Sequence, residues 1–412
     1  MINQNLEKNN NEISNKKMSE NIKNNYAYTF FNSMNLTQGL WMIYLVSKGQ
    51  SLFAVGLLES IFHITSFLME VPTGAISDIY GRKISRLLGR IIFIFSIVLL
   101  VFANHFIFFA ISFVFSALSY NLESGSGEAL IYDSLKILKK EDTYMKIFGK
   151  VEISYQLGST IALILGGYLA KFNYNYAFIG TIIIAAISLF YGFFNFTEAI
   201  IIKEENIKEK KKLNFLTSIQ DQIENSLSTF RNQRKVGYLI IISMLMSSVA
   251  TSFFFYLQNY FKFNGYSELK IGFILSIASL IAAFGASKTH IIEKYIKERG
   301  ILMYIPIFMT LSLLGISYTN YEMFFYIFLT LGESILYIAV NDYINKLIES
   351  EYRATILSFM SMAFSLCMII FFPIIGLIGD HYSLKTSFII ISWSFVIISL
   401  FNYYNLAKIK KH

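Results

Sequence analysis

Long apolar runs alternate with short polar segments along almost the whole chain. An α-helix of about 20 residues crosses the roughly 30 Å of hydrocarbon in a bilayer. We place twelve runs of about this length or longer, near 27–47, 52–72, 84–103, 105–135, 147–171, 175–196, 237–261, 268–289, 299–318, 321–346, 353–379 and 385–407. The pattern predicts an all-α integral membrane protein with twelve transmembrane helices.

Positive charge is unevenly distributed between the connections. Connections after even-numbered spans are rich in Lys and Arg, for example Arg82, Lys83 and Arg86 after span 2, whereas those after odd-numbered spans are short and nearly uncharged. Lys and Arg remain on the cytoplasmic side of a membrane. We therefore expect both termini in the cytoplasm, and the Ile, Asn, Lys, Phe and Tyr bias favours a bacterial cytoplasmic membrane.

Composition excludes several classes of protein. The chain is 55% hydrophobic and only 15% charged, whereas soluble domains carry about 25% charged residues. The net charge of +8 lies mostly in the polar segments around the apolar runs, where it acts on topology and on anionic lipid rather than on nucleic acid. The one cysteine, Cys367, excludes an intramolecular disulfide and a cysteine-based metal cluster.

Polar stretches divide the chain into domains. Residues 1–25 lack an apolar core and a cleavage site, which predicts a disordered cytoplasmic tail. The polar segment 197–236 separates two six-helix bundles, 26–196 and 237–407, and 408–412 form a second tail.

Within the linker, apolar residues recur every three or four positions, as expected of a helix on the membrane surface or of a solvated linker helix; they are Leu216, Ile219, Ile223, Leu227 and Phe230.

The two halves also echo each other in sequence. Span 4 contains Gly-Glu-Ala-Leu-Ile-Tyr at 127–132, and span 10 contains Gly-Glu-Ser-Ile-Leu-Tyr at 332–337. An aspartate follows each segment, Asp133 and Asp342. The placement of both segments in the fourth span of their half indicates a duplication of six spans, the plan of a large class of transporters.

The connection between spans 2 and 3 carries the most specific motif. It reads Gly-Ala-Ile-Ser-Asp-Ile-Tyr-Gly-Arg-Lys, with Gly74, Asp78, Gly81, Arg82 and Lys83 at fixed points. This spacing resembles motif A of the major facilitator superfamily, Gly-x-Leu-Ala-Asp-x-x-Gly-Arg-Lys, and occupies the same place between spans 2 and 3. The resemblance implies the two-repeat, twelve-helix fold of that family.

The resemblance also implies a cytoplasmic latch. In the family, the motif's Asp caps the start of span 11 and its Arg pairs with an acid at the inner end of span 4. Asp78 is then expected to face the helix start near Ser350 to Arg353, and Arg82 to pair with Asp133. These contacts would stabilise the outward-facing state. The alternative is that these residues only fix the topology of the loop.

Acids inside the spans are candidates for proton coupling, because an ionisable group in hydrocarbon is costly and usually functional. Glu123 and Glu128 lie in span 4, and Glu333 lies near the middle of span 10. The alternative is a carboxylate that is permanently paired or hydrogen-bonded between helices.

A second set of residues, polar amides within the spans, either lines a substrate path or bridges helices; these are Asn32, Asn35, Gln38, Asn121 and Gln258.

Two further motifs depart from the family pattern. Span 5 resembles motif C of the drug antiporters, but Ala162 and Leu163 replace its central Gly-Pro. Span 4 resembles motif B, but Asn121 stands in the place of its Arg. The segments Glu-Val-Pro-Thr-Gly at 70–74 and Arg-Ala-Thr-Ile-Leu-Ser at 353–358 resemble a bacterial multidrug-efflux-like branch.

We therefore predict a secondary active transporter that exports a small amphipathic, drug-like compound in exchange for protons. Uptake, or export of one dedicated metabolite or peptide-like compound, is the alternative, and a non-transporting membrane sensor is a third hypothesis. The sequence has no phosphate loop and no metal or nucleophile constellation, so we expect no enzyme activity, no cofactor and no metal. The expected partners are a small-molecule substrate, protons and membrane lipid, without nucleic acid, and the expected state is a monomer.

Overall fold

A computed structural model describes residues 2–199, 234–347 and 353–408, and every regular element within them is helical. The first half contains α1 Ile2–Ser33, α2 Trp41–Ser47, α3 Leu52–Tyr80, α4 Arg82–Phe102, α5 Phe106–Ile137, a 3₁₀ turn Glu141–Thr143, α6 Tyr144–Ala170 and α7 Tyr174–Asn195. The second half contains α8 Arg234–Phe263, α9 Glu268–Tyr318, α10 Glu322–Leu347, α11 Arg353–His381 and α12 Leu384–Lys408.

Ten of the described helices are long and apolar enough to cross a membrane. One of them, α9, has 51 residues and accounts for two predicted spans, 268–289 and 299–318. Lys297 interrupts it with a φ of 63°, a left-handed conformation that a non-glycine residue adopts at a cost. Because α9 accounts for two spans and the broken first span adds one more, the described helices account for the twelve predicted spans. They confirm the predicted fold class.

The first predicted span, 27–47, is broken in the middle. α1 ends at Ser33 and α2 begins at Trp41. Between them, the Asn35 side-chain oxygen accepts hydrogen bonds from the backbone N–H and the hydroxyl of Thr37, at 3.0 and 2.7 Å. Asparagine competes with helical hydrogen bonding in this way. Three of the polar residues that either line a substrate path or bridge helices, Asn32, Asn35 and Gln38, therefore lie at or beside a helix break.

The prediction of a disordered tail over 1–25 is wrong, because α1 begins at Ile2. Met18, Asn21 and Asn25 are buried, and they share one face of the helix with Tyr28. Met18 and Tyr28 pack with residues from the second half of α5 and from the segment after α7, namely Leu130, Phe196 and Ala199. A few contacts on one face order a segment whose overall composition is polar.

Contacts between residues divide the chain into two compact units. One unit combines the described parts of 1–37, 65–162 and 175–219, and the other combines 38–64, 163–174 and the described parts of 220–412. The predicted linker helix over 216–230 and most of the segment 197–236 lie outside the described residues. The bundles 26–196 and 237–407 stay a prediction.

Within the second unit, the small-residue face of span 5 packs closely on α9. A Cβ at Gly167 would lie 2.5 Å from the backbone oxygen of Glu268, and a Cβ at Gly272 would contact the backbone oxygen of Leu163. Small residues allow two helix backbones to approach in this way. The glycines of the motif C-like segment therefore act in packing without its proline.

Candidate functional site

The turn between α3 and α4 is made by one residue, Gly81. Its φ of 98° lies in the region that glycine adopts readily, and a Cβ there would meet the Glu198 carboxyl group at 2.5 Å. That carboxylate accepts hydrogen bonds from the backbone N–H groups of Arg82, at 2.7 Å, and Lys83, at 2.9 Å. Glu198 thus caps the start of α4, where the helix dipole favours an anion.

Lys83 joins the same turn to the end of α7. Its Nζ donates hydrogen bonds to the backbone oxygens of Phe193, at 2.8 Å, and Phe196, at 2.7 Å. An ammonium group stabilises the carbonyl end of a helix. Sequence analysis missed Glu198, although an acid just beyond the end of span 6 was a visible signal.

Arg82 contacts Asp133, the acid that the motif resemblance connects to it, and also Asp78 of the same motif. Its Nη1 lies 2.8 Å from Asp78 Oδ1, and its Nε lies 3.6 Å from Asp133 Oδ2. Asp78 exposes 65% of its side chain. Its expected partner, the helix start near Ser350, lies outside the described residues.

Gly74, the first glycine of the motif, has open space around it within α3, since a Cβ there would meet no atom within 4 Å.

A buried charge cluster lies one turn into α4. Arg86 is 2% exposed, and its guanidinium group donates to Glu123 Oε1 and forms a 2.8 Å ion pair with it. The guanidinium also donates to Asn25 Oδ1 at 2.6 Å and lies 4.2 Å from the centre of the Tyr28 ring. The Tyr28 hydroxyl donates to Glu123 Oε2 at 3.1 Å. The Glu123 carboxylate is therefore not isolated, because it has one charged partner and one neutral partner.

Arg90 extends this cluster by a further turn of α4. Its Nε donates to the Ser188 hydroxyl at 2.8 Å, and its Nη2 donates to the backbone oxygen of Asn32 at 2.7 Å. Asn32 lies at the C-terminal end of α1, where the helix dipole favours a cation. Sequence analysis assigned Arg86 to topology and did not single out Arg90. Two arginines one turn apart in an apolar run were the available signal.

The other two acids lie in different surroundings. Glu333 on α10 accepts a 2.9 Å hydrogen bond from the Ser247 hydroxyl on α8, so its described partner is neutral. Glu128 is exposed on α5, five residues beyond Glu123 and on another side of the helix. The three candidate acids thus have different surroundings, and Glu123 and Glu128 lie on different sides of α5.

The polar amides divide into bridging and unpartnered groups. Asn121 exchanges two 2.7 Å hydrogen bonds with Ser66 and bridges α3 and α5. Gln258 and its neighbour Asn259 on α8 are 0% exposed, and all four polar atoms of their side chains lack a hydrogen-bond partner among the described residues. Within the same part of the chain, the side-chain oxygen of Asn32 is also buried without a partner. Gln38 lies at the break between α1 and α2.

Comparisons with known proteins agree with this architecture. The family model described as the Major Facilitator Superfamily matches residues 25–372. The chain belongs to the Major Facilitator Superfamily. The uncharacterized MFS-type transporter YxaM of Bacillus subtilis is 24% identical over 389 residues, which cover 92% of this chain and 93% of YxaM.

Solved structures share the same fold. The nucleoside transporter NupG aligns with a TM-score of 0.75 and 13% identity, over 96% of this chain and 100% of NupG. A D-xylose–proton symporter aligns with a TM-score of 0.69 and 13% identity, over 95% of this chain and 97% of the symporter. This multi-pass membrane protein is therefore a member of a transporter family, as the motif resemblance predicted.

Proposed function

We propose that this member of the superfamily is a secondary active transporter that exports a small amphipathic organic compound in exchange for protons. It works by alternating access in a bacterial cytoplasmic membrane, with both termini in the cytoplasm. Family membership supports transport as the class of function and argues against an enzyme. The segments Glu-Val-Pro-Thr-Gly at 70–74 and Arg-Ala-Thr-Ile-Leu-Ser at 353–358 support the multidrug-efflux-like branch.

The observation that carries proton coupling is the environment of Glu333. Its carboxyl group lies in the interior of a membrane-spanning helix, and its described partner is the hydroxyl of Ser247. A carboxylate in hydrocarbon is costly unless it is paired with a cation. Binding and release of a proton at Glu333 is the chemistry that this arrangement favours.

The other acids rank below Glu333 for physical reasons. Glu123 has the Arg86 guanidinium beside it, which favours a permanent ion pair, the alternative left open by the sequence. Glu128 is exposed and stays a prediction as a second proton-binding group.

The inner latch consists of Gly74, Asp78, Gly81, Arg82, Lys83 and Asp133. Asp78 would cap the start of α11 when the two halves close. While the halves are apart, Arg82 would hold Asp78 and Asp133 in place. The ion pair of Arg82 with Asp78 and the turn fixed by Glu198 support this proposal, because both keep the carboxylate at the end of α3.

The proton-coupling proposal is tested by flux of a lipophilic cation from vesicles under an imposed pH gradient. Glu333→Gln removes the ionisable group but keeps a hydrogen-bonding side chain, so we expect flux to lose its dependence on the gradient. Glu128→Gln is measured beside it, and Glu141→Gln, an exposed acid in the 3₁₀ turn, is the control. A full response of both Glu333→Gln and Glu128→Gln to the gradient would exclude these residues as proton carriers.

A second candidate function, transport of one dedicated polar metabolite, is favoured by the unpartnered amides. Four buried polar atoms on Gln258 and Asn259 match the hydroxyl, amide or heterocyclic groups of a polar, uncharged compound. Nucleosides and pentoses belong in the test because two fold neighbours are named for such compounds.

Ligand-induced thermal stabilisation distinguishes the two candidates. A compound at 100 times its Kd stabilises the folded state by about 2.7 kcal/mol. Stabilisation by a nucleoside, pentose or dipeptide that is lost in Gln258→Leu supports the dedicated metabolite. Stabilisation by lipophilic cations alone supports drug export.

A further inference from the structure

The first half of α3 and the second half of α11 lie backbone against backbone in the second unit. A Cβ at Gly56 would lie 2.7 Å from the backbone oxygen of Phe372, and a Cβ at Gly376 would contact the backbone oxygen of Leu52. Glycine at both positions is what permits this approach. We call this contact the α3–α11 seam, defined by Leu52 to His63 on α3 and Ser365 to Asp380 on α11.

Polar contacts follow the α3–α11 seam along its length. The Ser60 hydroxyl donates to the backbone oxygen of Ile369 at 3.0 Å. His63 Nδ1 lies 3.3 Å from the Ser365 hydroxyl, and the Tyr256 hydroxyl of α8 donates to the backbone oxygen of Phe372 at 2.7 Å. In an open seam the same groups would form hydrogen bonds with water. The bonds within the protein therefore favour the closed seam only modestly. A modest difference is what a seam that opens and closes requires.

Asp380 closes the end of the seam. Its Oδ1 accepts a 2.9 Å hydrogen bond from the backbone N–H of Leu52, and its Oδ2 accepts a 2.8 Å bond from that of Phe53. These N–H groups begin α3 and have no partner within the helix, and the helix dipole adds a favourable field for the carboxylate. An aspartate on α11 therefore caps the start of a helix from the other half of the sequence.

The arrangement mirrors the one that the motif A resemblance implies at the opposite ends of the same helices. There, Asp78 at the end of α3 is expected to cap the start of α11. Here, Asp380 at the end of α11 caps the start of α3. Each aspartate follows a glycine by four residues, as Gly74 precedes Asp78 and Gly376 precedes Asp380.

We propose that Asp380 is a second latch residue of the transport cycle, which holds the α3–α11 seam closed while the Asp78 latch is open. This proposal rests on the proposed transport function. Leu52 and Asp78 are 26 residues apart on one helix, about 39 Å along its axis, so the two caps act at opposite ends of α3. A transporter that opens one end at a time uses one latch at a time.

Accessibility of the seam tests the proposal without any knowledge of the substrate. Cys367 is the one cysteine of the chain, so Cys367→Ser gives a background in which Ser60→Cys is a single reporter. Ser60 is 5% exposed, so a cysteine at this position is expected to react with a maleimide only when the seam opens. The protein is reconstituted in nanodiscs, where the reagent reaches both faces of the membrane and the result does not depend on topology.

Loss of the latch is expected to speed labelling. Asp380→Ala removes both bonds to the start of α3, and we expect labelling of the Ser60→Cys reporter to be about fivefold faster, the effect of one helix cap. Asp380→Asn keeps one acceptor and should give a smaller increase. Gly56→Ala should also speed labelling because its methyl group would collide with α11. Gly149→Ala, at a glycine with open space around it, should leave the rate unchanged.

A second reporter separates opening of the seam from unfolding. Ser96→Cys lies buried between α4 and α5, away from the seam, and faster labelling there as well would mean general destabilisation and overturn the proposal. An Asp380→Ala rate within twofold of the background would also overturn it.

Asp78→Ala is measured in parallel and should slow labelling of Ser60→Cys. If only the Asp78 variant fails to respond, the proposed inner latch is wrong and the Asp380 latch stands.

Discussion

Arg86 and Arg90 lie one turn apart on α4, and both guanidinium groups are buried. A buried ion is tolerated when its charge and its hydrogen bonds are satisfied. Arg86 has the Glu123 carboxylate, whereas Arg90 has neutral oxygen atoms at a helix end and on Ser188. At the scale of residues, these interactions therefore fix α1, α4, α5 and α7 to one another.

Removal of the Glu123 charge tests this assignment. Glu123→Gln leaves Arg86 buried without a counter-ion, and we expect a loss of about 3 kcal/mol in the free energy of unfolding, measured by thermal unfolding in detergent. The double variant Arg86→Met with Glu123→Leu should recover most of that loss because no uncompensated charge remains.

Asp342→Asn, in an exposed ion pair with Lys346, is the control and should leave the melting temperature unchanged. Equal effects of Glu123→Gln and this control would show that the buried pair contributes little.

The resemblance to motif A implied the proximity of Arg82 to Asp133, and the structure places Arg82 Nε 3.6 Å from Asp133 Oδ2. The partners of Glu123 were not predictable, because Tyr28 and Arg86 come from segments far apart in sequence. A local pattern identifies residue types at fixed spacing, but it contains no information on which distant helix lies opposite.

At the scale of elements, helix α1 shows how a few contacts override composition. Its first 25 residues have the polar composition of a disordered tail, yet Asn21 Nδ2 donates to the backbone oxygen of Thr197 at 2.7 Å, and Asn21 Oδ1 accepts from the backbone N–H of Thr197 at 2.9 Å. Through these bonds, α1 supports the segment that carries Glu198. Glu198 in turn supports the turn at Gly81.

Asn21→Ala should destabilise the protein because it leaves the partly buried backbone groups of Thr197 without the Asn21 side chain as a partner. We expect a loss of about 1–3 kcal/mol in the free energy of unfolding, detected as a lower melting temperature. Lys23→Ala, at an exposed position of the same helix, is the matched control, and an equal shift in both variants would contradict the docking of α1.

Glu198→Ala tests the cap of α4. The variant leaves two N–H groups at the start of α4 unsatisfied, and we expect a cost of about 1 kcal/mol together with slower transport, because the turn that carries the latch is loosened. Transport and melting temperature are compared with Glu141→Ala. Unchanged transport in Glu198→Ala would show that the cap does not position the latch.

At the scale of the whole molecule, hydropathy predicted the number and order of the spans because each span is a local property of about 20 residues. The grouping of 38–64 and 163–174 with the second half of the chain was not predictable, because it depends on contacts such as those of the α3–α11 seam. A transporter whose segments change partners during its cycle needs such contacts at more than one place.

The most direct test of the central claim is proton movement in reconstituted vesicles that contain a pH-sensitive dye. Lipophilic cations, antibiotics, nucleosides and pentoses are added in turn to the wild-type protein and to Glu333→Gln. We predict that at least one compound evokes proton movement in the wild type and that this movement is absent in the variant. Folded protein that moves a compound without protons, or that moves none of them, would contradict proton-coupled transport, and the latter result would favour a membrane sensor.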